Sequence, residues 1–214
     1  MGKYTPKLPK AVIEYEVRDK NGKLIEKGKF PAKSWVGNIV GLLSAILSMW
    51  SNMWSAYSTG MSRADLTDVG GTARGISIGS AASGGNVVGG CAPAGDATAG
   101  IVVGSSDTPV SLSQYSLGAL IPNGTGSGQL LYGATNVETL SKGATWLFRI
   151  VRTFTNSSGA SVTIREIGLY VRLGKSDSPY YYSCMLARDV PTSPIIVPDG
   201  STLTVRYIIS HSLS

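Results

Sequence analysis

Charge is what this sequence most lacks. No charged side chain lies between Ser34 and Ser62, and between Gly75 and Val137 only Asp96 and Asp107 are charged. Charged residues make up 15% of the chain, against about a quarter in an average soluble protein. Protein surfaces are normally covered by Lys, Glu, Arg and Asp, so neutral stretches of this length belong in a core, in a membrane or against other copies. Histidine is limited to His211 and cysteine to Cys91 and Cys184, with no CxxC pair and no cluster of acids. The sequence therefore carries no metal-ligand signature and implies no cofactor. The two cysteines fit either one long-range disulfide or two separate thiols, which leaves the redox compartment open. The opening MGKYTPKLPK has no apolar run after its basic residues, and Pro6 stands where a myristoylation motif needs Ser or Thr. Neither a secretory signal nor a lipid anchor is expected from it. A location outside a cell would then be reached by another route, such as inside a released particle.

The charge that is present is unevenly placed. Eight of the ten lysines (Lys3, Lys7, Lys10, Lys20, Lys23, Lys27, Lys29 and Lys33) fall in the first 33 residues. A net charge of +6 would suit nucleic acid, because phosphate neutralisation supplies most non-specific affinity. These lysines, however, are interleaved with Glu14, Glu16, Asp19 and Glu26, so a solvated charged arm is the better reading and nucleic acid is not expected as a partner.

Alternation in AVIEYEVR puts Ala11, Ile13, Tyr15 and Val17 on one face and Val12, Glu14, Glu16 and Arg18 on the other, the pattern of a half-buried strand. Asn21-Gly22 accepts the positive φ of a type I′ turn, and a second extended run follows from Leu24 to Phe30. Residues 11–30 are predicted to form a hairpin. Two strands alone are marginal in water, so its apolar face must dock on something.

Ser34 is a suitable N-cap for a helix over 34–57. Trp35, Ile39, Leu42, Ile46, Met49 and Met53 recur at helical spacing, as do Val36, Val40, Leu43, Leu47, Trp50 and Trp54, opposite Asn38, Gly41, Ala45, Ser48 and Asn52. A helix of about twenty residues spans roughly 30 Å, enough to cross a membrane. The segregation of Asn and Ser on one face favours instead a long amphipathic helix buried between β domains or against neighbouring subunits.

From Met61 to about Gly100 the chain is rich in Gly, Ala and Ser and suits irregular loops or short strands. Strands are predicted beyond it at Ile101–Val103, Val110–Leu112, Gln129–Tyr132, Trp146–Phe154, Val162–Arg172, Tyr180–Arg188, Ile195–Val197 and Thr202–Ile209, with 146–172 pairing as a hairpin across Asn156-Ser157-Ser158-Gly159. Short strands between such turns predict a mainly β fold, an antiparallel β-sandwich or jelly roll over 58–214 with a Gly-rich beginning, preceded by the 34–57 helix and a 1–33 arm.

Catalytic motifs are weak. GISIG (Gly75–Gly79) fits a G-x-S-x-G elbow, and Ser77, Asp189 and His211 follow the hydrolase order. Yet the elbow needs a helix after it, and here SAASGG follows. Gly124, Gly126 and Gly128 begin a dinucleotide fingerprint that Leu131 fails to complete. Asn123-Gly124-Thr125 and Asn156-Ser157-Ser158 match the glycan acceptor pattern but read first as turns. No catalytic, cofactor-binding or metal residue is assigned.

The sequences FRIVRTFTNSSGASVTIREIGLYVR and LARDVPTSPIIVPDGSTLTVRY, together with VIEYEVRDKNGKLIEKGKFPAKSW near the start, resemble β-rich virion structural proteins of tailed phages and of viruses of thermophilic archaea, among them the filament proteins of spherical piliferous archaeal viruses. The resemblance covers roughly residues 11–54 and 100–212 and rests on pattern, not on a catalytic signature. It implies a non-enzymatic, self-polymerising subunit on an extracellular virion surface, in which a terminal strand of one copy completes the sheet of the next. Its partners would be copies of itself, with other virion proteins or a host surface as further ones. The expected subunit contacts are Ile13, Tyr15 and Val17 of the arm and Trp35, Ile39, Leu42, Ile46, Met49, Trp50, Met53 and Trp54 of the helix. A membrane-anchored viral surface or capsid protein using residues 35–54, or a serine hydrolase using Ser77, are the competing expectations.

Overall fold

The computed structural model describes residues 10–43, 63–77, 88–142, 145–174 and 181–212. They form, in order, β1 (Lys10–Arg18), β2 (Leu24–Pro31), β3 (Arg63–Thr67), β4 (Ala73–Ser77), β5 (Val88–Gly89), β6 (Gly100–Gly104) and β7 (Leu131–Tyr132). There follow β8 (Asn136–Lys142), β9 (Thr145–Thr155), β10 (Val162–Ile164), β11 (Glu166–Gly174), β12 (Tyr181–Asp189), β13 (Ile195–Val197) and β14 (Thr202–Ser212). A short helix, α1, occupies 37–43. The protein is therefore mainly β, and its strands pair antiparallel, as the alternating pattern predicts.

The largest sheet runs β2-β1-β14-β9, with β7 and β8 both on the far edge of β9. β14 shows why: Leu203, Val205 and Tyr207 are fully buried while Thr202, Thr204 and Arg206 between them are not, the period of two that a one-sided sheet requires. The next sheet is β12-β11, with β5 and β6 on the other edge of β11. Its Ile167, Leu169, Met185 and Ala187 join Ile13, Val17, Phe154, Leu203 and Val205 of the first sheet in one core cluster. Two small pairs, β10-β13 and β3-β4, complete the strands.

The hairpin forms at the predicted place with a different turn. Residues 19–23 make a five-residue connection in which Asp19 Oδ1 accepts the N–H groups of Asn21 and Lys23, the Gly22 N–H donates to the Asp19 carbonyl, and Gly22 takes a positive φ of 81°. The Asp19 carboxylate organises the loop, so the two-residue type I′ geometry that Asn21-Gly22 suggests is not used.

Two further expectations are corrected. Val110–Leu112 lies in a loop, not a strand. Residues 146–172 do not pair with one another: β9 stays in the first sheet beside β14, whereas β10 pairs with β13 and β11 with β12. The switch happens at Asn156, which is 0% exposed. Its main chain exchanges bonds with Gly200 and Ser201, and its Nδ2 donates to the carbonyls of Ala160 and Val197, so the turn is tied to the β13–β14 connection.

Candidate functional site

The arm and the start of the apolar helix are the segments on which an assembly surface was expected. β1 contributes Ala11, Ile13, Tyr15 and Val17 to the core side, and Ile13 and Val17 are 0% exposed. Opposite β1, β14 runs in register from Ser210 against Lys10 to Thr202 against Arg18. In the single chain, then, the edge of β1 is already paired with the chain's own last strand, and its apolar side chains share one core with residues of β11 and β12. Ile13 and Val17 are core residues there, and burial of each contributes about 1.5–3 kcal/mol. Tyr15, between them in this row, is half-buried. Its ring lies over Gly28 of β2, where any Cβ would fall within 3.0 Å of it, and its hydroxyl donates to Glu26 at 2.8 Å. Burial first, and then Glu26, push that phenol up to about 12.

The opposite face of the same sheet is polar and laddered. Lys29 meets Glu14 at 2.8 Å and Arg206 meets Glu16 at 2.8 Å across three adjacent strands. Arg149 pairs with Glu138 further along. Cross-strand pairs of this kind fix register more than they stabilise. Within the sheet, then, Glu14 answers Lys29, and Glu16 answers Arg18 and Arg206.

Helix α1 begins at residue 37, three positions after Ser34, because Ser34 is used otherwise. Its N–H donates to Asp189 and its carbonyl accepts from Arg188, while Trp35 bridges to Ala187. Trp35 packs edge-on against Tyr207, with ring centroids 6.0 Å apart. Leu42, with Ile39 beside it, sits on Leu66, Val171, Leu173, Cys184 and Leu186, on the side of β11 and β12 away from the main core. Asn38, expected on the small polar face of the helix, is buried: its Nδ2 donates to the carbonyls of Thr67 and Met185, and its Oδ1 accepts from the N–H of Thr67. Those three bonds clamp β3 to β12, and they turn the helix so that Val40 and Leu43 face outward, 67% and 50% exposed. Leu112, 77% exposed, lies in the loop whose carbonyl accepts the Gly37 N–H. So Trp35, Ile39 and Leu42 pack within the chain, and of the neighbouring stripe Val36 is buried while Val40 and Leu43 are open. Ile46, Met49, Trp50, Met53 and Trp54 lie outside the described residues, as does the rest of the 34–57 helix. Among the described residues no helix is long and apolar enough to cross a membrane.

Asp189, at the end of β12, was missed as a structural centre. It is 4% exposed and accepts from Lys33 N–H at 2.9 Å, Ser34 N–H at 3.2 Å and the Tyr207 hydroxyl at 3.1 Å. Burial pushes this carboxyl up despite those donors. It thereby fastens the point where the arm leaves its sheet. Beside it Glu166 and Arg188 form a fully buried ion pair at 2.6 Å. Glu166 also accepts N–H groups from Ser106, Gly118 and Ala119, and Arg188 donates to Thr108, so the 105–119 loop is stapled to the sheet. Arg152, 0% exposed, donates to the carbonyls of Pro93, Asp96, Ala99, Ile101 and Gly133 and lies 4.8 Å from the Tyr132 ring. Each sits in a strand where alternation alone suggests an apolar or solvent position, and only the loops folded over them explain the charge.

The catalytic motifs come apart. Ser77 ends β4 opposite Arg63, Asp189 is occupied by the arm's hinge and Tyr207, and His211 stands opposite Trp146. Nothing in these placements gathers Ser77, Asp189 and His211 into one site. The Gly124–Gly128 segment is a loop closed on Gln129, whose Oε1 accepts the Gly126 N–H. Cys91 is exposed and Cys184 buried, both as free thiols; burial pushes Cys184 up to about 12.

Comparison with known protein families, curated proteins and solved structures finds no match.

Proposed function

We propose that this chain is a structural subunit that self-assembles into a virion filament or fibre by exchanging its amino-terminal hairpin between copies. One observation carries the reading: β1, the first described strand, is seated along β14, the last, and fills its core face with Ile13 and Val17. Lifting it away frees the edge of β14 and opens a slot lined on that side by Leu203, Val205 and Tyr207. An equivalent strand from another copy would restore the same main-chain bonds and the same side chains in the same pockets. Exchange of an identical element has a low thermodynamic cost, and repeated head to tail without closure it yields an open filament. The two larger sheets are then the layers of a β-sandwich of jelly-roll type, and the Lys33–Ser34 junction held by Asp189 is the hinge. The likeness to virion filament proteins supports this reading, and with it a non-enzymatic role on an extracellular virion surface.

The test is deletion of residues 1–31, with a peptide spanning 10–31 supplied in trans. The shortened chain should form no filaments by electron microscopy and should bind the peptide, whereas the full chain polymerises. Normal filaments from the shortened chain would remove the arm from assembly. The exposed Val40 and Leu43 also suit a membrane-anchored surface or capsid protein, and stable co-sedimentation of the full chain with lipid vesicles would favour that second reading.

A further inference from the structure

The two Asn-x-Ser/Thr tripeptides are alike in sequence and opposite in the fold. An asparagine amide has two N–H donors. Attaching a glycan replaces one of them with a bond to a sugar carbon and requires room for a bulky group. At Asn156 both hydrogens are committed, to the carbonyls of Ala160 and Val197 at 2.7 Å each, and the residue is 0% exposed. A sugar there would break a buried bond and force apart the turn that moves the chain between sheets.

Asn123 is in the reverse situation. It is exposed, and Thr125, Gly126, Ser127 and Gly128 after it are exposed as well. Its Oδ1 accepts the Tyr132 N–H at 2.9 Å, which fixes the amide plane. Among the described residues nothing accepts a hydrogen bond from its Nδ2. The backbone around it is held, with Gly124 N–H on the Leu130 carbonyl at 3.1 Å and Leu130 N–H on the Pro122 carbonyl at 3.2 Å. The loop thus presents an unengaged amide nitrogen on a firm base, where a glycan projects into solvent and costs the fold nothing.

We infer that Asn123 is a site of N-linked glycosylation and that Asn156 is not. The inference rests on the extracellular reading given above. In the transfer, the bond from Asn123 Nδ2 to the sugar C1 forms as Nδ2 gives up one proton. The C1–O bond to a lipid-phosphate carrier breaks, and the lipid phosphate leaves with the electron pair. The donor is a lipid-phosphate-linked oligosaccharide, and the catalyst is the transferase of the glycosylating membrane.

The full chain, directed into the secretory pathway of a glycosylating host, tests this by intact mass and glycopeptide mapping of the secreted, folded protein. The expected result is a single glycan on Asn123, lost in Asn123→Gln and converted to Asp by a glycan-cleaving amidase, with Asn156 unmodified. Secreted protein bare at Asn123, or folded protein carrying a glycan on Asn156, overturns the inference. The same mapping on the chain isolated from its natural source should find Asn123 occupied, and a bare Asn123 there overturns it too. Because the mapping is indifferent to polymerisation, an absence of filaments by microscopy counts against the assembly reading alone.

Discussion

At the scale of single residues, the buried charges set the largest energies. Glu166 and Arg188 are both fully buried, so removing one leaves the other without its partner. Arg188→Met should cost about 3–5 kcal/mol in denaturant unfolding, whereas replacing both by apolar residues of similar volume should cost much less. A single variant as stable as wild type would show that the pair does not hold the 105–119 loop. Asp189 behaves differently because its pKa is raised by burial. Its folded form holds a proton more tightly than the unfolded chain does. The stability it contributes is therefore fully present below the ordinary value of 3.8 and is lost as pH rises through the elevated one. Wild type minus Asp189→Asn should thus favour wild type most in acid and shrink toward neutral pH, read as urea midpoints. Glu16, held down by its hydrogen bond from Arg206, acts in the other direction: its contribution is present above 4.5 and is lost as pH falls through its lowered value. Both proteins share Glu16, so the difference between them isolates Asp189. A difference that grew with pH would contradict the burial argument.

At the scale of elements, α1 separates a structural face from an open one. Leu42 is 6% exposed, and Val40 and Leu43 are 67% and 50% exposed. Val40→Lys with Leu43→Lys should move unfolding by less than about 0.5 kcal/mol, as surface changes do. If this stripe meets another copy, the same double variant should shorten or abolish filaments. Filaments of ordinary length would exclude it from the contact. The hairpin is the other element with two possible partners, since the bonds β1 makes with β14 are identical whether the strand comes from its own chain or from a neighbour.

For the whole molecule, the proposed assembly could be driven by burial or by charge. The faces available to an exchanged arm are apolar, with Ile13 and Val17 meeting Leu203, Val205 and Tyr207, and burial contributes about 25 cal/mol per Å². The ion pairs Lys29–Glu14 and Arg206–Glu16 lie on the polar face of the sheet and are screened as the Debye length falls to about 3 Å at 1 M salt. Filaments should therefore persist or lengthen in molar salt, measured by light scattering and microscopy. Dissolution into single chains would place the arm's lysines at the centre of the mechanism instead.

Periodicity alone was enough for β1 and β14. The alternation of Ile13, Tyr15 and Val17 and of Leu203, Val205 and Tyr207 was readable residue by residue, because a one-sided sheet imposes a period of two on its side chains. The neutral run after Ser34 likewise announced a helix start, though not which stripe of it would be buried. Tertiary structure decided what pairs with what. β9 looked like the partner of the strand after the NSSG turn, yet it joined β14, since Asn156 could satisfy its amide only against Val197 and Ala160. Asn38 read only as part of a polar face, with its partners Thr67 and Met185 nowhere in the local pattern. Glu166, Arg188, Arg152 and Asp189 were illegible for the same reason. A buried charge is stable only where distant backbone groups converge on it, and that convergence between residues tens of positions apart leaves no local pattern in the chain.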